Sequence, residues 1–457
     1  MTIFTKIMPQ TLNTNLGLQI RSGLTSMAFK LGMTKATGFL VTLILARLLV
    51  PEMFGLVAMV AVVIGFLGIF ADLGLQNALI QRRREPVSAL RYDSAFWFLA
   101  GAGLVMAGLV WLVGVPFMVW FYDEPRLQPI AMALALGLWM GTLSTLPRVR
   151  LTRLMKFRSI VRADVLGMLA GAGGAIALAL AGAGLWALVG KSLISSLVTL
   201  VLIWKATRWR PRLRFDLQSL RDVVGFSGYM LANSVLYYLR KNMDVIIVGK
   251  LLGASALGVY SLAFALTETL RMQLYSVVNK VMFPAYSRMQ NDPAAMKPYY
   301  LATIRYMALI TWPISTLLIL FADPLVPMLF GEAWIEAVRP VQILAVASMV
   351  FALSGTPAEV LKGLGRPEIS LYIQSINTVF VALPAIYFGA IHYGLEGAAI
   401  GVLIQYITAR IAYQVVIYKF IKAEKKEILK NLIPAASLSF FLFSFFWLFV
   451  NHVLVLN

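Results

Sequence analysis

"YYLRKNMDVIIVGKLLG" (residues 237–253) sets Arg240, Lys241 and Asp244 inside a run that is otherwise apolar. In the middle of a bilayer each such charge costs about 2.5–3.5 kcal/mol or more. Whether the run crosses a membrane is therefore the first question. Of 457 residues, 60% are hydrophobic and only 13% are charged, whereas soluble domains carry about 25% charge. The mean hydropathy of +0.81 points the same way. This is the composition of a polytopic membrane protein.

Composition also excludes several chemistries. The chain has no cysteine, so disulfides, iron–sulfur clusters and thiolate metal sites are ruled out. Its two histidines, His392 and His452, argue against a histidine metal centre, and no cofactor is expected. A net charge of +20 would suggest nucleic acid in a soluble protein. Here it reads as basic loops kept on the cytoplasmic side, with no nucleic-acid partner.

A helix needs about 20 apolar residues to cross the hydrocarbon. Segments that satisfy this lie near 23–45, 53–78, 94–120, 127–147, 160–182, 185–204, 223–248, 256–284, 303–321, 338–357, 368–390, 394–418 and 433–455, thirteen in all. Basic residues gather in alternate loops: Lys6 and Arg21; Arg82, Arg83, Arg84 and Arg91; Arg148 to Arg162; Lys205 to Arg221; Arg288, Lys297 and Arg305; Lys362 and Arg366; Lys419 to Lys430. The loops between hold only Arg47, Arg126, Lys250 and Arg339. This bias predicts a cytoplasmic amino terminus, with the polar first 22 residues as an arm and not a signal peptide. "RWRPRLRF" (208–215) then falls on the cytoplasmic face, where a helix resting on anionic headgroups is expected. The outside loops are short and acidic, the longest lying near 322–337.

The chain repeats itself. "ARLLVPEMFGLVAM" (46–59) lies over "GKLLGASALGVYSL" (249–262) at an offset of 203. "LTRLMKF" (151–157) over "LKGLGRP" (361–367), and "GLWAL" (184–188) over "GLEGA" (394–398), share an offset of 210. Six spans per copy give both copies the same orientation, the pattern of transporters whose parallel repeats enclose a site near the midplane. The expected organisation is a six-helix bundle over 1–205, a basic linker over 206–222, a second bundle over 223–420, and a basic loop with one additional transmembrane helix over 421–457. "GLWALVGKS" (184–192) is no phosphate-binding loop, because its glycines enclose five residues where that motif needs four.

The charges inside the spans are mostly positive. Arg240 with Asp244, and Glu268 with Arg271, stand four and three residues apart and share helix faces, so each is a candidate coupling or structural ion pair. Lys30, Lys35, Lys241 and Arg410 have no acidic residue in register on their own helix. Lys191 and Lys280 lie near span ends and are expected to snorkel to the interface. Such an interior suits an anionic substrate, and a phosphate or pyrophosphate is what arginine and lysine bind best. Lys30, Lys35, Arg240, Lys241, Arg271 and Arg410 are the candidate substrate-binding residues, with Tyr237 and its neighbours Tyr229 and Tyr238 placed to stack on sugars or donate hydrogen bonds.

"LARLLVPEMFGLVAMVAVVIGFLGIFADLGLQNALIQRRR" (45–84) resembles the amino-terminal signature of Wzx-type polysaccharide-repeat flippases, in which "ARLL.P..FG" and "ADLGL..ALIQ" elements bracket the second span. The resemblance extends over roughly residues 20–420 and is to the lipopolysaccharide and colanic-acid exporter branch of the multidrug/oligosaccharidyl-lipid/polysaccharide superfamily. It implies an all-α fold of two six-helix bundles around a V-shaped, alternating-access cavity. It also implies an undecaprenyl-pyrophosphate-linked oligosaccharide as substrate, moved from the inner to the outer leaflet of a bacterial cytoplasmic membrane. Membrane lipids, and a polysaccharide polymerase with its chain-length machinery, would be the partners. A drug or cation antiporter of the same superfamily should instead place uncompensated carboxylates in its interior. A polymerase or ligase should carry a long catalytic loop outside the membrane. Neither matches this sequence, which reads as a transporter and not an enzyme.

Overall fold

A peptide group stripped of water must find its hydrogen-bond partner inside the protein, and a helix supplies one within its own segment. The computed structural model, which describes residues 32–34, 36–72, 89–216 and 227–455, is accordingly built of helices, and no strand occurs among those residues. In chain order they are α1 (36–48), α2 (Pro51–Asp72), α3 (Ala89–Tyr122), α4 (Leu127–Arg153), α5 (Phe157–Leu180) and α6 (Trp186–Thr207). They continue with α7 (Ser227–Arg288), α8 (Pro293–Phe330), α9 (Val338–Gly363), α10 (Pro367–Ile421) and α11 (Lys425–Val455). Ten of the described helices are long and apolar enough to cross a membrane. α7 and α10 are far longer than one crossing requires, and each breaks at a glycine, Gly253 and Gly394.

Two compact units partition the chain. One comprises Met1–Leu49 and Met59–Leu239, the other Val50–Ala58 and Arg240–Asn457. The repeat read from the sequence leaves its mark on the backbone of both. Left-handed residues at Met155 and Gly184 in the first copy recur at Gly365 and Gly394, again at an offset of 210. Asp123 and Gly331, and Arg208 and Lys422, form two further pairs at similar offsets. The first glycine of "GLWAL" and that of "GLEGA" thus share a positive φ.

Within the second unit the two copies of the "ARLL/GKLL" motif touch reciprocally. A side chain on Gly55 would run into the backbone of Ala254, and one on Gly258 would run into that of Pro51. Ala254 and Pro51 are themselves separated by 203, as are Gly258 and Gly55. Small residues let helix backbones approach this closely in a membrane. Elsewhere in that unit Tyr286, Tyr300, Ile304, Tyr413, Ile417 and Ile428 fill a core.

Prolines bend these helices without orphaning their backbone. Pro116 and Pro384 each follow a π-turn, Val110–Gly114 and Thr378–Ala382. Proline cannot bond to the fourth residue back and its ring crowds that carbonyl. The residue before each proline reaches back five instead, Val115 N–H to the Val110 carbonyl and Leu383 N–H to that of Thr378. At the start of α8, Asp292 caps the helix by accepting from the Ala295 N–H at 3.2 Å. In the α3–α4 turn Arg126 donates twice to the Glu124 carboxylate, through Nε and Nη2 at 2.8 Å, and holds its pKa below the usual value.

Two expectations are corrected. Residues 208–216 are not a helix. α6 stops at Thr207, Arg208 turns left-handed, and Pro211 with alternating arginines keeps the chain extended. Trp97 Nε1–H donates to the Arg212 carbonyl at 2.9 Å, and the Asp216 N–H donates to Ser94 Oγ at 2.8 Å, which pins the segment to α3. Beside it, Trp204 and Trp209 stack at 6.0 Å and Phe96 packs edge-on against both. Second, 322–337 is no loop: α8 runs to Phe330 and a 3-10 helix, Glu332–Ala337, follows. Trp334 of that turn is fully buried, edge-on to Phe54 at 5.2 Å.

Gly253 has φ 81° and ψ −176°, a conformation essentially reserved for glycine, so Gly253→Ala should destabilise the protein by about 1–3 kcal/mol. Met155 has φ 54°, and Met155→Gly should relieve strain there. Heating the purified proteins in detergent and following loss of the monodisperse species should lower the midpoint for the alanine variant only.

Candidate functional site

The charges of the opening stretch lie in the arm of α7 before Gly253, which an apolar sequence makes helical and which carries Arg240 and Lys241 side by side and Asp244 one turn further on. Arg240 Nη1 donates to Gln374 Oε1 of α10. Gln374 Nε2 in turn donates to Tyr413 OH at 2.9 Å and Ser370 Oγ at 3.1 Å, and Ser370 and Tyr413 are 2.8 Å apart. Lys241 is exposed. Asp244 is buried and accepts from Tyr260 OH at 3.0 Å across the Gly253 turn.

Glu268 and Arg271 do form the ion pair their spacing allows, at 3.3 Å. Arg271 is only 3% exposed. Its guanidinium lies 3.8 Å from the centre of the Phe351 ring and 5.0 Å from that of Tyr406. The faces of these rings offer negative charge density to a cation. Its Nε and Nη1 have no hydrogen-bond partner among the described residues. A buried guanidinium with two uncommitted nitrogens retains donors in the fork geometry that suits phosphate oxygens.

The other expected site residues are distributed differently. Arg410 is committed to the protein: Nη1 donates to Tyr300 OH at 3.1 Å and the Leu353 carbonyl at 2.9 Å, and Nη2 to Gln414 at 2.7 Å. Tyr237 is half exposed, while Tyr238 donates to the Val62 carbonyl at 2.9 Å. Lys30 and Lys35 lie outside the described residues, as does the side chain of Tyr229. No cluster of metal-binding side chains occurs among the described residues.

Sequence reasoning missed Tyr260, Gln374, Phe351 and Tyr406. One signal was available: Ser370, Gln374 and Asn377 repeat at helical spacing in an apolar span and so mark one polar face. Phe351 and Tyr406 had none, since an aromatic beside a buried cation looks like any other apolar residue in a span.

The described residues form an all-helical, multi-pass membrane fold with buried charges, the kind of interior that transporters use. The chain belongs to the polysaccharide biosynthesis protein family, whose profile matches residues 44–339. It is 25% identical to the lipopolysaccharide biosynthesis protein WzxC of Escherichia coli (strain K12), over 85% of this chain and 79% of that one. It is 27% identical to the succinoglycan biosynthesis transport protein ExoT of Rhizobium meliloti (strain 1021), over 86% and 78%. The fold matches that of the lipid II flippase MurJ in an inward closed conformation, with a TM-score of 0.70 and 9% identity over 91% of this chain and 92% of that one.

Replacing Arg271 by methionine removes the ion-pair partner of Glu268, and breaking such a pair is expected to approach the lower end of the ~3–5 kcal/mol range because Glu268 keeps some access to solvent. The double variant Glu268→Gln, Arg271→Met should recover much of that loss. Thermal unfolding of both variants and of the parent in one detergent measures the difference.

Proposed function

We propose that this protein is a flippase for lipid-linked oligosaccharides. By alternating access it carries an undecaprenyl-pyrophosphate-linked repeat unit from the inner to the outer leaflet of a bacterial cytoplasmic membrane, for assembly of a surface polysaccharide. The observation that carries the reading is Arg271, buried and paired with Glu268 through Nη2, with Nε and Nη1 lacking a hydrogen-bond partner among the described residues. A group that costs this much to bury is retained for what it binds, and its geometry suits a pyrophosphate. Membership of a polysaccharide biosynthesis family and the named relatives support a glycan cargo, and the undecaprenyl-pyrophosphate carrier is what the sequence resemblance implies.

In this reading Arg271 meets the pyrophosphate, Lys241 and Arg240 add positive charge on the way in, and Lys30 and Lys35 extend the set. Arg410, tied to Tyr300, Leu353 and Gln414, serves as a strut. The amino terminus faces the cytoplasm, as the basic loops require, and a polymerase with its chain-length machinery receives the product outside.

A deletion strain making the polymer should accumulate complete lipid-linked repeat units that a membrane-impermeant sugar-modifying reagent cannot reach in intact cells. Wild-type protein restores export, whereas Arg240→Gln with Lys241→Gln, and separately Glu268→Gln with Arg271→Met, should fail to do so while reaching the membrane in normal amount. Export at the wild-type rate by both variants would remove the anion-binding assignment. Trapped units that the reagent does reach would point to polymerisation instead.

A further inference from the structure

A second feature lies in the first unit, away from the charges of α7. An apolar groove of about 500 Å³ runs along α3, lined by Trp97, Phe98, Gly101, Ala102, Val105 and Met106, with Phe70 of α2 and Phe215 of the extended basic segment at its sides. Gly101 deepens it: a side chain there would meet no protein atom within 4 Å. From Trp97 to Met106 the helix rises roughly 14 Å.

The basic segment fixes charge beside this groove. Trp97, a lining residue, donates to the Arg212 carbonyl. The same carbonyl accepts from the Arg214 N–H at 2.8 Å, so the chain turns tightly about Leu213, which is 88% exposed. Phe215 then lines the groove and Asp216 is held by Ser94. Arg212 and Arg214 are exposed and form no ion pair among the described residues. An apolar slot parallel to a membrane helix, with two exposed guanidinium groups that are unpaired among the described residues on a pinned segment beside it, is complementary to a lipid with an anionic headgroup.

We infer that this groove holds one acyl chain of an anionic phospholipid of the surrounding bilayer, whose phosphate is bound by Arg212 and Arg214. The pinning favours a resident lipid over the transported one. A headgroup held by a segment hydrogen-bonded at both Arg212 and Asp216 is fixed at one end of the groove, which suits a structural ligand and not a passenger that must cross. The inference is independent of the flippase reading.

The test is native mass spectrometry of the full-length protein with phosphatidylglycerol, phosphatidylethanolamine or undecaprenyl diphosphate added at equal concentration. The parent should retain one phosphatidylglycerol in preference to the other two. Gly101→Leu fills the groove, should fold because its added side chain enters open space, and should cut retention at least tenfold with no fall in thermal midpoint. Arg212→Gln with Arg214→Gln, both at exposed positions, should abolish the preference for phosphatidylglycerol over phosphatidylethanolamine. Undiminished retention by the leucine variant, an unchanged preference in the glutamine variant, or displacement of phosphatidylglycerol by undecaprenyl diphosphate would each overturn the assignment.

Discussion

The structure depends on one constraint: inside a bilayer, a backbone N–H or carbonyl without a partner costs several kcal/mol. Helices follow from it directly, and so do the places where they stop or deform. Where Pro116 and Pro384 remove a donor, the preceding residue reaches back five positions and the helix continues through a π-turn. Where the chain reverses, it turns through left-handed residues whose preceding helix ends are satisfied locally. Arg208 N–H closes on the Trp204 carbonyl and Lys422 N–H on that of Tyr418. Because the constraint acts equally on both copies of the repeat, Met155 and Gly365 turn alike, as do Gly184 and Gly394, although their sequences have drifted far apart.

The same low-dielectric setting governs the charges. An arginine in the membrane interior must be neutralised, stacked or bonded, and the second unit uses all three. Arg410 is bonded to Tyr300, Leu353 and Gln414. Arg240 joins the Gln374, Ser370 and Tyr413 network. Arg271 is paired with Glu268 and laid against Phe351 and Tyr406. Of the three, only Arg271 has buried donors without a hydrogen-bond partner among the described residues, which is why the proposed function rests on it.

Close backbone approach is the third theme. Without a hydrophobic driving force between helices in lipid, association relies on packing and small residues. Gly55 and Gly258 bring α2 and α7 into contact at Ala254 and Pro51. Gly101, by contrast, has no neighbour to approach. The same residue type that closes one helix pair opens a groove elsewhere, which is why the environment of a glycine says more than its identity.

Much of this was legible in the chain itself. Apolar runs of about 20 residues fix membrane helices because the hydrocarbon thickness is fixed, and ten of the described helices, two of them broken at a glycine, lie on the runs from which thirteen spans were expected. The spacing of Glu268 and Arg271 determined their pairing, since residues three apart share a helix face. Three things were decided only by tertiary packing. "RWRPRLRF" reads as a basic helix until Trp97 and Ser94, more than a hundred residues away, hold it extended. Arg240 stands in register with Asp244, yet its guanidinium reaches Gln374 of a distant helix. Arg410 looks like a free interior cation until Tyr300 and Leu353 claim its nitrogens. Local periodicity sets which residues can meet along one helix. It cannot say which helix lies alongside, and the partner of a long, flexible cationic side chain is chosen there.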